Sequence, residues 1–207
     1  MIRKALLKNL YMKQENSMQE IAEKLGCSVH KVQYWMHRHR ISRRSISDAV
    51  YLKHNPEGDP FEFKPPKTHD DMFLFGLGIG LYWGEGTKSN TTAVRLGNTD
   101  PELIKKFMEF MIRFFGVKKE DFRFGLQIFT DMDTEKALQF WIKKLKVKRN
   151  QFGKVIVTIS GSIGTYRKKT EHGVVTLHYN NTKVRALLSS LMPYPTDPST
   201  KAAVAQG

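Results

Sequence analysis

The chain is short of cysteine, of acidic residues and of long apolar runs, and each shortage removes a class of protein. Its 207 residues include one cysteine, Cys27, so no intrachain disulfide and no thiolate metal cluster can form, and a reducing compartment is expected. The seven histidines show no H-E-x-x-H or paired-ligand spacing, so no zinc site is expected. The strongly apolar run, Met72 to Gly84, is about 13 residues long where a membrane span needs roughly 20, and it reads as a buried helix. Lys8, Lys13, Glu15 and Asn16 break up the start of the chain before any signal-like apolar stretch forms. The expectation is a cytoplasmic protein, nucleoid-associated in a prokaryote, with no membrane partner and no small-molecule substrate. Acidic side chains number 20 against 34 Lys and Arg, a formal charge of +14 and a pI near 9.8. Such a surplus concentrates any polyanion, nucleic acid first, although an anionic membrane would also attract it nonspecifically.

The length suits two unequal domains. From the start to about Ser47 the apolar spacing is helical, through Leu6, Leu7, Leu10 and Tyr11, then Ile21, Ala22, Leu25, Val32 and Trp35, enough for three short helices in a domain of residues 1–53. Residues 54–69, with Pro56, Pro60, Pro65 and Pro66, read as a linker. Residues 70–192 then read as an α/β module. The apolar helix is followed by a strand at Ala93–Asn98 and a helix from Pro101 to about Phe115, started by Thr99-Asp100-Pro101. A strand at Phe124–Phe129, Thr130-Asp131 and a helix to Leu145 echo that unit, a weak internal repeat. Segments Lys154–Ile159 and Val174–Tyr179 read as strands joined by a hairpin tip at Tyr166–Gly173, before a helix from Thr182 to Leu191 and a flexible tail, 193–207. The fold class expected is α+β.

Met18 to His37 lays out as helix, tight turn, helix. Ile21, Leu25, Cys27, Val32 and Trp35 fall on an inner face, Ala22 is small where the helices cross, Gly26 sits where positive φ is needed, and Ser28 is placed to cap. This stretch resembles the helix-turn-helix of bacterial and archaeal DNA-binding proteins; an ordinary helical hairpin needs the same small residue and glycine. With Val32 and Trp35 inward, Ser28, His30, Lys31, Gln33, Tyr34, His37 and Arg38 face out, with donors and acceptors suited to base edges. Beyond them His39, Arg40, Arg43 and Arg44 form a basic run suited to phosphates.

Phe75 to Gly86 holds several glycines in one helix, each of which disfavours that helix by about 1 kcal/mol relative to alanine. Gly76, Gly80 and Gly84, spaced by four, form one bare face on which a second helix can lie backbone to backbone. If that helix belongs to a second copy, Glu85 meets its own symmetry mate, and two such carboxylates need divalent cations between them. Gly80-Leu81-Tyr82-Trp83-Gly84-Glu85-Gly86 resembles the motif of the LAGLIDADG homing endonucleases, over roughly Asp70 to Met192. The resemblance implies a homodimer with Gly76, Gly80 and Gly84 at its interface. It also implies Glu85 as the catalytic, metal-binding acid with Gly84 beside it, Mg²⁺ or Mn²⁺ as cofactor, and an antiparallel sheet lying over double-stranded DNA. Trp83 is bulkier than the family usually has, and the helix after Asn98 interrupts a strand pair the family often joins directly.

Arg95, Gln127, Lys154, Arg167, Lys168 and Lys169 fall on or beside expected strands, where a DNA-facing sheet needs them, although charged strand faces are also commonly just solvated. A dinucleotide-binding glycine loop is disfavoured, because Leu81 and Trp83 stand where its third glycine belongs. Two expectations stand side by side: a metal-dependent, homodimeric DNA endonuclease, and a non-cutting transcription regulator of the same parts, as the WhiA-type regulators resemble. An RNA-binding module is the third, without the aromatic stacking motif it needs.

Overall fold

The structure is a computed structural model that describes residues 1–160 and 170–192. Arg167, Lys168 and Lys169, in the first half (166–169) of the expected hairpin tip, and the expected tail lie outside the described residues. The chain divides into two compact units, Met1–Pro60 and one beginning at Phe61. It is α+β, and among the described residues no helix is long and apolar enough to cross a membrane.

In the first unit α1 (Lys4–Lys8) runs on into a π-helical segment, Asn9–Lys13, followed by α2 (Met18–Lys24), α3 (Val29–Arg38) and α4 (Ile46–His54). The core joins Leu7, Leu10 and Tyr11 to Ile21, Ala22, Val32, Met36 and Ile41, with Cys27 packed against it. Ser17 and Glu20 close a capping box at the start of α2, and the Ser28 hydroxyl accepts from the Lys31 N–H at the start of α3. Gly26 has φ +58°, and an added Cβ would meet nothing, so the backbone conformation is what requires glycine there. Its N–H donates to the Glu23 carbonyl and that of Cys27 to the Ala22 carbonyl, the paired bonds of a Schellman ending. One inward residue was missed. Met36, four residues after Val32 and fully buried, is added to the inner face, and Trp35 is half-buried, packed against this core and stacked on His39. Helix α4, beyond the three expected, buries no residue and reaches the start of the expected linker.

The second unit begins inside that linker, because the Glu62 and Lys64 N–H groups donate to the carbonyls of Phe115 and Phe114. Its elements are α5 (His69–Glu85), β1 (Val94–Asn98), α6 (Pro101–Phe115), β2 (Arg123–Phe129), α7 (Thr134–Leu145), β3 (Ile156–Thr158), β4 (Val174–Tyr179) and α8 (Thr182–Ser190). The strands form one sheet in the order β1-β4-β2-β3. One sheet face, through Val94, Leu96, Phe124, Leu126, Ile128, Val175, Leu177 and Tyr179, packs with Phe107, Phe110, Phe114, Trp141, Val184 and Leu188 into a continuous core. Among the described residues the helices therefore cover one face and leave the other open, which fits the alternation of buried and accessible residues along β1, β2 and β4.

Two expectations about the sheet are corrected. Segments β3 and β4 do not form a hairpin, since β2 lies between them. The sheet is mixed rather than antiparallel: β2 and β3 are parallel, with Gln127 opposite Ile156. The cause is α7, which carries the chain back along the sheet and supplies the crossover a parallel pair requires. Strand β4 occupies the other edge of β2, antiparallel to it and to β1.

At the start of α5 the Thr68 hydroxyl accepts from the Asp71 N–H, and the Asp71 carboxylate accepts from the Lys67 and Thr68 N–H groups. The same carboxylate takes the Arg113 Nε at 3.0 Å, linking α5 to α6. The Arg113 guanidinium holds Asp71 below the usual carboxylate range.

Candidate nucleic-acid interface

Each unit carries one accessible surface of matching chemistry. In the first it is the outer side of α3. His30, Lys31, Tyr34, His37 and Arg38 are exposed there, with Tyr34 55 % accessible, and Gln33 is half-buried beside them. From Lys24 to Ser47 the chain has no Asp or Glu, so no carboxylate of that stretch opposes an approaching phosphate. Arg40 and Arg43 extend the surface past the end of α3, and Arg40 takes φ +53° at the turn that seats buried Ile41.

Arg44 is placed differently from its neighbour Arg43. Its guanidinium lies 4.3 Å from the Tyr11 ring centroid and donates to the backbone carbonyls of Tyr11, Glu15 and Asn16, while its N–H donates to the Tyr11 hydroxyl at 2.8 Å. It ties the end of the first helix to the segment after α3. His39 is also engaged, with Nε2 2.8 Å from the Ile2 carbonyl oxygen. Nothing in the spacing of the Arg-Arg pair reveals which guanidinium turns inward.

In the second unit the open sheet face is ordered in rows by the strand register. Arg95 on β1 and Arg123 on β2 both lie opposite His178 on the central β4. One step along, Gly97 and Gly125 both lie opposite Thr176, and beyond that Gln127 lies opposite Val174 and Ile156. Gln127 donates from Nε2 to the Thr158 hydroxyl at 3.0 Å. Lys154 is exposed just before β3. Of the residues expected on this face, Arg95 and Gln127 are thus brought onto it, Lys154 stands at its edge, and Arg123 and His178 were missed. The missed signal is an Arg-x-Gly in each of β1 and β2, meaningful only once both strands are known to flank β4.

The third feature is α5 and its Glu85 end. An added Cβ at Gly76, Gly80 or Gly84 would meet nothing within 4 Å, whereas at Gly78 it would overlap the Phe110 ring. Gly78 therefore allows the close approach of α5 to α6, and the other three leave a bare strip. Phe73 and Trp83 stand beside it, 70 % and 47 % exposed. Glu85 is exposed at the end of the helix, and Gly86 bridges to Leu96 at the start of the sheet.

Behind Glu85 the loop is held by an unexpected residue. Arg185 of α8 is buried and donates from Nε to the Asn90 carbonyl and from Nη2 to the Lys88 carbonyl, each at 2.9 Å. A buried guanidinium with carbonyl partners in place of a carboxylate fixes the loop while keeping its positive charge beside the Glu85 end. Lys88 donates to the Trp83 carbonyl. Burial pushes the Lys88 ammonium below the usual lysine range, with the Glu85 carboxylate opposing and Arg185 reinforcing the shift. Among the described residues no group of three or more His, Cys, Asp or Glu side chains converges as a metal site. One chain thus offers Glu85 as a lone carboxylate with a cation nearby, which does not by itself fit a divalent metal, and Gly84 adds no side chain. No family model, curated protein or solved structure matches the chain.

Proposed function

We propose that the chain is a sequence-specific double-stranded DNA-binding protein. In this reading α2, the Gly26 turn and α3 act as a helix-turn-helix. His30, Lys31, Gln33, Tyr34, His37 and Arg38 face the bases of the major groove, while Arg40 and Arg43 meet phosphates. The observation that carries the reading is the acid-free outer side of α3, backed by a fully buried seam at Val32 and Met36. The open face of the mixed sheet in the second unit, whose Gly80–Gly86 stretch resembles the LAGLIDADG motif, adds phosphate contacts.

The assembly proposed is a homodimer through α5, supported by the bare strip at Gly76, Gly80 and Gly84 and the exposed Phe73 and Trp83 beside it. A large side chain at Gly80 should separate the copies, and a wild-type monomer in sedimentation, free and on DNA, would refute the assembly.

Cleavage is the second reading, and one observation favours it: Glu85 is exposed where that strip ends, so pairing the strip would bring two Glu85 carboxylates together. A site for Mg²⁺ or Mn²⁺ then depends on the second copy, since one chain does not complete it. Selecting bound sites from random duplexes and then adding Mg²⁺ or Mn²⁺ tests both readings. An endonuclease cuts the selected duplex, and Glu85→Gln keeps binding while losing cleavage. A regulator leaves the duplex intact at every cation concentration, and failure to enrich any sequence would end the DNA-reading proposal.

A further inference from the structure

We infer that Arg95, His178 and Arg123 form a binding site for a phosphate oxyanion, and that filling it places a proton on His178. The inference rests on the DNA-binding reading for the source of that phosphate, a backbone phosphodiester, but the site is argued from its own geometry.

Three strands converge on it. The strand register sets Arg95 and Arg123 directly opposite His178 from its two sides, an arrangement that brings opposed Cβ atoms to within about 5.5 Å. The Arg95 Nε is buried and has no hydrogen-bond partner, and such a donor rarely stays unmatched in a functioning state. Arg123 is steadied along the sheet by two bonds from a single nitrogen, Nη1, to the Glu120 carbonyl at 2.6 Å and the Phe122 carbonyl at 2.9 Å. Among the described residues its Nε and Nη2 make no hydrogen bond. Among the described residues neither arginine has a carboxylate partner.

The neighbouring row has no bulk to obstruct a ligand, because Gly97 and Gly125 flank Thr176. A Cβ at Gly97 would come within 3.2 Å of the Thr176 hydroxyl, and one at Gly125 within 3.4 Å of the His178 Nε2. Glycine within a strand marks places where a ligand approaches the backbone closely. A groove lined by Arg123, Gly125, Asn150, Phe152, Gly153 and His178 opens beside the imidazole.

Among the described residues, the charged groups that the strand register sets opposite His178 are both cationic. Arg95 faces it from β1 and Arg123 from β2. From the segment after α7 comes Asn150, while Arg149 is turned onto the Phe152 carbonyl. Among the described residues no carboxylate lines the groove. Burial, reinforced by Arg95, pushes the imidazole below its ordinary value of 6.5, so the free protein holds it neutral near neutral pH. A phosphate between the arginines reverses the field: the imidazole takes one proton from solvent and becomes a third cationic donor.

The test follows His178 by NMR through its ring proton shifts, in the full chain at constant ionic strength, free, with inorganic phosphate and with a DNA duplex. In parallel, duplex affinity is measured from pH 8 to pH 5.5 for wild type and His178→Gln. The expected result is a His178 pKa raised by the duplex, and a wild-type affinity that climbs with falling pH more steeply than that of the variant, by up to about tenfold per pH unit in the window between the free and the bound pKa of His178. A pKa raised by inorganic phosphate and not by the duplex keeps the site, names free phosphate as its ligand and removes this face from the DNA reading. Tight duplex binding with the His178 titration unmoved by either ligand overturns the site and leaves the DNA reading standing. The NMR arm uses wild type, so a variant that fails to fold does not spoil it.

Discussion

Replacing glycine by alanine at two positions of α5 separates the two reasons a helix carries glycine. In a helix interior the change contributes about 1 kcal/mol of stability where the added methyl meets open space. Gly80 is such a place, because nothing lies within 4 Å of its would-be Cβ. At Gly78 the same methyl overlaps the Phe110 ring, itself fully buried among Phe75, Phe107, Phe114 and Phe115, so the ring has no free direction to move. Overpacking of this kind costs roughly 1–3 kcal/mol. The propensity gain is common to both variants and cancels in their difference, leaving Gly78→Ala less stable than Gly80→Ala by about 1–3 kcal/mol. Urea unfolding followed by Trp83 and Trp141 fluorescence in a Trp35→Phe background reads the difference directly, at two protein concentrations to expose any pairing of the Gly80 face. Equal midpoints for the two variants would refute the packing of α5 on α6.

Four further outcomes follow from individual residues. Gln33→Ala should relax preference at particular base pairs of a selected site, whereas Arg43→Ala should weaken all sequences alike and reduce the salt slope by about 1; an unchanged sequence preference for Gln33→Ala would remove it from base reading. Gly26→Ala should destabilise the first unit by roughly 1–2 kcal/mol, because φ +58° is a left-handed conformation, and helical circular dichroism on heating measures it. Asp71 has a folded pKa below its unfolded one, so its contribution to stability is complete above the ordinary carboxylate value of 3.8 and is lost as pH falls through the folded value. The urea midpoints of wild type and Asp71→Asn should therefore differ at pH 7 and converge towards pH 2, and a gap of constant size would contradict the Asp71–Arg113 link.

Where local chemistry decides, the sequence is readable. Helix α6 begins at Pro101 behind the Asp100 cap and ends before Gly116 at φ +63°, signals that need no tertiary information. The turn at Gly26 and the cap at Ser28 are of the same kind. Burial on a short helix is harder, because Trp35 and Met36 both lie one turn from Val32 and only tertiary packing decides that Met36 is the more deeply buried. Strand pairing was not legible for β3, since its parallel partner β2 lies across the whole of α7. The row of Arg95, Arg123 and His178 was hidden for the same reason: the three residues are far apart in sequence, and only the register joins them. Arg185 gave no sign at all, being a lone arginine in an amphipathic helix whose partners are main-chain carbonyls.

The central claim, that this chain reads DNA sequence, is tested most directly by one ratio. The full chain's affinity is measured for a duplex obtained by selection and for a scrambled duplex of the same composition, both at about 150 mM salt. Sequence-specific proteins favour their site by about a thousandfold or more. The account predicts a ratio of that order for this chain, and a ratio near one, with both affinities falling together as salt rises, would reduce the +14 charge to nonspecific attraction and contradict it.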